Sequence, residues 1–71
     1  MTEPELLTSL GARIKDLRLK KNISQNDLAT HCEIQKASMS RIEAGKTNIT
    51  MRTLYKIIKA LEADIRDFFV F

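Results

Sequence analysis

This sequence predicts an all-α fold, a compact bundle of five short helices, on two observations. No segment alternates apolar and polar residues long enough for a strand, whereas apolar residues recur at three- and four-residue spacing along most of the chain. Gly and Pro, the residues that interrupt helices, occur only twice and once. The 71 residues leave room for one modest core and hence one domain, 1–71, and a chain that is 44% hydrophobic and 30% charged has a globular composition.

The first helix begins at TEPE. Thr2 caps it, Glu5 closes a capping box, and Pro4 is tolerated in the first turn. Leu6, Leu7, Leu10, Ile14 and Leu17 keep one side apolar, and the end near Lys21 and Asn22 is basic, as the helix dipole prefers. Ser24 caps a short second helix, with Asp27 in the box position and Leu28 and Ala29 turned inward. A break follows around Glu33. The third helix runs from about Gln35 to Ala44 and is closed by Gly45 as a left-handed cap residue. Thr50 caps the fourth, whose Met51, Leu54, Ile57, Ile58 and Leu61 fall at amphipathic spacing. Asp64 caps the fifth, DIRDFF, which brings in Ile65, Phe68 and Phe69.

Charge and composition narrow the function. The net charge is +3, and the excess is central: Arg13 to Lys46 holds eight bases against four acids, whereas residues 1–12 carry only Glu3 and Glu5. Such a segment suits either a polyanion or plain solvent. Cys32 is the only cysteine, which rules out an intrachain disulfide and fits a reducing compartment. No apolar run is long enough to cross a bilayer, and MTEPELL is acidic where a signal peptide would be basic, so a cytoplasmic protein without a membrane partner is expected. His31, Cys32 and Glu33 are consecutive helical residues that point about 100° apart, too divergent to share a metal. Neither a phosphate-binding glycine loop nor a Ser/His/Asp set on a plausible scaffold is present. No metal, cofactor or small-molecule ligand is expected, and no enzymatic activity.

The third helix carries the functional signal. With Lys36 at zero and about 100° per residue, Ser40, Ala37 and Arg41 fall at roughly 40°, 100° and 140°, while Met39 and Ile42 lie on the far side. Every surface helix shows polar groups, but this set also matches a duplex major groove. Arg and Lys donate to guanine, Ser serves either base type, and an Ala methyl meets a thymine methyl. A short helix, a tight turn and a second short helix form the helix-turn-helix arrangement, whose second helix enters that groove.

Ser24-Gln25, Leu28-Ala29, Ser40-Arg41-Ile42-Glu43, Gly45-Lys46 and Thr53-Leu54, in that order and with LGARIKDLR upstream, resemble the Cro/phage-repressor type of helix-turn-helix domain, also called the xenobiotic response element family, with its lambda-repressor-like fold. The resemblance covers roughly residues 10 to 69. It implies base contacts from Lys36, Ala37, Ser40 and Arg41. It implies backbone contacts from Gln25, Gln35, Lys46, Thr47 and Asn48, and a structural ion pair between Arg18 and Glu43. Three positions depart from the pattern. Glu33 stands where the family commonly has Gly, Gln35 where it has a Ser or Thr cap, and Ile49 where it has Pro.

The function implied is a sequence-specific transcriptional regulator, repressor or activator, binding double-stranded DNA as a homodimer on a palindromic operator. Residues 62–71 are expected to contribute to dimerisation through Ile65, Phe68, Phe69 and Phe71, because exposed apolar groups at the chain end are costly in a monomer. Restriction-modification controller proteins, single-domain dimers that activate as well as repress, look similar in length and build, and imply contact with RNA polymerase as a further partner. An antitoxin-like interaction module that also binds DNA is the alternative, with the aromatic tail as its partner site. Tyr55, Lys56 and Lys59 are expected to form a solvated flank of the fourth helix.

Overall fold

In the computed structural model, which describes residues 1–70, helix α1 spans Glu3–Lys20, α2 Gln25–His31, α3 Lys36–Glu43 and α4 Met51–Leu61, followed by a 3-10 turn at Ile65–Phe68. Helix starts follow local chemistry. Thr2 and Glu5 form a reciprocal capping box, and the hydroxyls of Ser24 and Thr50 accept from the amides of Asp27 and Thr53.

The expected fifth helix is the 3-10 turn instead. Helix α4 ends at Glu62, and a segment of four residues is too short to offset the cost of nucleating an α-helix. It closes with tighter bonds, from Asp67 N to Asp64 O at 2.9 Å and from Phe69 N to Arg66 O at 3.3 Å. The Arg66 side chain and amide hold the Asp64 carboxyl down to about 2, and the Asp67 side chain completes a second capping box.

All four α-helices end in the same way. A residue with positive φ (Asn22, Glu33, Gly45 or Glu62) is followed by an amide that reaches back five residues, as from Ile23 to Arg18 O, Ile34 to Ala29 O, Lys46 to Arg41 O and Ala63 to Ile58 O. These are Schellman endings, and in three of them the next residue, Ile23, Ile34 or Ala63, packs on the core.

The core comprises Leu10, Ile14, Leu28, Ala29, Cys32, Met39, Ile42, Leu54, Ile57, Leu61 and Phe68. Helix α1 is the spine, touching α3, α4 and the 3-10 turn, and α2 packs on α3 and α4. Gly11 lets α1 and α3 meet at backbone distance: a Cβ there would lie 2.4 Å from the Ile42 carbonyl oxygen and 2.7 Å from that of Glu43. Three residues of the expected apolar stripes lie outside the core. Leu6 lies near the start of α1 and Met51 is the first residue of α4, at the rim of its apolar arc; both are exposed, and Leu7 is half-buried. No helix is long and apolar enough to cross a membrane.

Candidate nucleic-acid interface

Between α2 and α3 the chain turns at Glu33, whose φ is 57°. The Schellman bonds satisfy the last carbonyls of α2, Ile34 drops onto the core, and Gln35 enters α3 in an extended conformation. Gln35 makes no side-chain cap bond, so the first amides of α3 have no side-chain acceptor. This turn holds α2 and α3 as one packed unit. Burial pushes the Cys32 thiol up from its ordinary range at the end of α2. No group of His, Cys, Asp and Glu among the described residues could hold a metal.

A buried ionic network sets the orientation of α3. Arg18 on α1 grips Glu43 with two parallel bonds, Nε to Oε2 at 2.7 Å and an Nη to Oε1 at 3.0 Å, and its other Nη donates to the Ile23 carbonyl at 2.9 Å. Both side chains are almost wholly buried, where a bidentate Arg–carboxylate pair is geometrically most selective. Gln25, the first residue of α2, adds a third bond from its Nε2 to Glu43 Oε1 at 3.2 Å. One carboxylate therefore joins three helices. Gln25 is only half-buried, and its second amide hydrogen is not engaged by that bond.

Met39 and Ile42 face inward from α3, and Lys36, Ala37, Ser40 and Arg41 lie together on the solvent side. The loop that follows begins at Gly45, with φ 71°, where a Cβ would lie 2.5 Å from the Thr8 Cα. It runs on through exposed Lys46, half-buried Thr47 and exposed Asn48. Ile49 packs on the core and so anchors the loop where a proline was expected. Arg41, Thr47 and Asn48 share a shallow recess with Ser38 of α3 and Thr53 of α4, so the outward side of α3 and the loop form one continuous surface.

Three features of this surface were missed from sequence: the Gln25–Glu43 bond, the close approach at Gly11 and the place of Thr53 in the recess. The only available signal was Gly11 itself, a glycine inside an otherwise helical pattern, which implies a packing reason. At the chain end the expected dimer residues divide. Phe68 has 0% exposure and is core, in a 3-10 turn packed on α1; it presents no surface to a second copy. Ile65 and Phe69 are 47% and 44% exposed and Val70 is 64% exposed, while Phe71 lies outside the described residues. Arg13 of α1 holds this turn through a bond from its Nε to the Asp67 carbonyl.

Residues 14–68 match the family described as helix-turn-helix. An uncharacterized HTH-type transcriptional regulator of Archaeoglobus fulgidus is 36% identical over 62 residues, 87% of this chain and 87% of that protein. Control protein C.BamHI of Bacillus amyloliquefaciens is 36% identical over 58 residues, 80% of this chain and 72% of that one. Among solved structures, the restriction-modification controller protein C.AhdI from Aeromonas hydrophila superposes with a TM-score of 0.85 at 28% identity, over 89% of this chain and 96% of that one. The wild-type restriction-modification controller protein C.Esp1396I superposes with a TM-score of 0.82 at 36% identity, over 90% and 83% of the two chains.

Proposed function

This chain belongs to the helix-turn-helix family, and on that premise we propose that it is a DNA-binding transcriptional regulator of the restriction-modification controller kind, working as a two-fold dimer on a palindromic operator. The observation that carries the proposal is the side of α3 opposite its buried Met39 and Ile42. Lys36, Ala37, Ser40 and Arg41 are all exposed there, on a helix whose angle is set by the Arg18–Glu43 pair. Lys36 and Arg41 supply guanine donors, Ser40 an adaptable hydroxyl and Ala37 a methyl.

Backbone contacts come from both flanks. Lys46, Thr47 and Asn48 meet phosphates on one side of the groove. On the other, the second amide hydrogen of Gln25 meets a phosphate while the first stays on Glu43, and Gln35 stands at the entry to α3. A phosphate bound by Gln25 would thus be tied to the carboxylate that orients the reading helix. Dimerisation uses Ile65, Phe69 and Val70, apolar groups exposed together at the chain end. The similarity to controller proteins supports contact with RNA polymerase when the regulator activates.

Arg41→Ala tests the assignment of the reading face. It is expected to cost about 1 to 3 kcal/mol of binding to the preferred duplex and to relax the preference at one base position, whereas Gln25→Ala weakens all duplexes about equally. An Arg41→Ala protein with unaltered base preference would remove Arg41 from the reading set.

A further inference from the structure

Helix α4 has a second, outward side that the DNA-binding surface leaves unused. Its eleven residues include three cations, Arg52, Lys56 and Lys59, and no acid. None of the three forms an ion pair among the described residues, whereas Arg13, Arg18, Lys20 and Arg66 all do. Beside them lie two large apolar side chains left in water, Met51 at 68% and Tyr55 at 61% exposure. Met51, Tyr55 and Lys59 follow one another at i, i+4 and i+8 and so form one stripe along the helix. The Lys59 ammonium sits 6.0 Å from the centre of the Tyr55 ring, on the same side of the helix.

We propose that this stripe docks an acidic, apolar-bearing segment of another protein. The residue types are those that mark the centre of protein interfaces, where Tyr, Met and Arg are enriched and fill pockets on the partner. The charge selects a partner rich in Asp and Glu, since the face has cations and no acid to repel one. Position separates the stripe from the duplex. Thr53, the α4 residue in the recess beside Arg41, lies about 160° around the helix from the middle of the stripe, so Met51, Tyr55 and Lys59 point away from the DNA-facing recess. A second copy of this chain is disfavoured as the occupant, because two such faces would set cation against cation.

The test uses the full chain labelled for amide NMR and two synthetic amphipathic helices of equal length. One carries Leu on one side and Glu on the other; its counterpart has Lys in place of Glu. The Glu peptide is expected to shift the amides of Met51, Arg52, Tyr55 and Lys59 at about tenfold lower concentration than the Lys peptide. Tyr55→Ala should weaken that binding at least about fivefold, and Arg52→Glu with Lys59→Glu should reverse the peptide preference. Because these side chains are exposed, both variants should keep the helical circular dichroism of the parent. Each of these results would overturn the proposal: equal response to both peptides, shifts confined to other helices, no effect of Tyr55→Ala, or perturbation of the same amides by a non-cognate DNA duplex that displaces the Glu peptide. Concentration-dependent self-association that covers the stripe would do the same. The outcome does not depend on which DNA sequence α3 reads, so failure here and failure of the DNA-binding proposal are separable.

Discussion

Glu33 ends α2 with a φ of 57°, a conformation in which a Cβ meets the neighbouring carbonyl at a cost of about 1 to 2 kcal/mol. It is retained because the two Schellman bonds and the burial of Ile34 that depend on it contribute more. Glu33→Gly is therefore expected to raise unfolding stability by about 1 kcal/mol in urea titration, and unchanged or reduced stability would mean that the Glu side chain contributes a compensating contact. The strained position was legible because the family pattern asks for Gly where this sequence has Glu. Asn22 and Glu62 hold the same conformation without any such contrast to mark them. The Gln25–Glu43 bond was also illegible, since it joins residues on separate helices whose approach depends on the whole packing. The family resemblance that implies the Arg18–Glu43 pair carries no third partner.

Among the elements, α3 is positioned twice, by backbone contact at Gly11 and by the Arg18–Glu43 pair. Gly11→Ala would push a methyl into the carbonyls of Ile42 and Glu43, and backbone cannot yield as a side-chain tip can. A loss of about 1 to 3 kcal/mol is expected, read by thermal or urea unfolding. If Gly11→Ala were as stable as the parent, α1 and α3 would have to be farther apart than described. The four α-helices were readable from sequence because caps and apolar spacing agree, as at Thr2 with Glu5 or Thr50 with Leu54. The final element was misjudged because a cap and three apolar residues signal a helix start without fixing its length. What decides a 3-10 turn is the left-handed Glu62 and the pull of Phe68 into the core. Met51 shows the same limit: amphipathic spacing names the arc that faces the core but not where the neighbouring helices stop covering it.

At the scale of the whole molecule, one domain measures 30 × 23 × 20 Å, so a single copy can serve one operator half-site and two copies side by side can place their α3 helices about 34 Å apart, one turn of duplex. The proposed pairing uses the exposed apolar groups at the chain end. Ile65→Asp should shift the protein towards monomer in sedimentation at micromolar concentration without unfolding it, because Phe68 and not Ile65 is the residue that completes the core. A dimer unaffected by Ile65→Asp would place the interface elsewhere. Arg13 ties the same turn to α1, whose Arg18 grips Glu43, so one helix links the chain end to α3. The most direct test of this account is selection of bound duplexes from a random pool at fixed salt. The predicted result is enrichment of a two-fold symmetric sequence with half-sites about one helical turn apart, held by a dimer. Enrichment of no sequence, or of an asymmetric one held by a monomer, would contradict it.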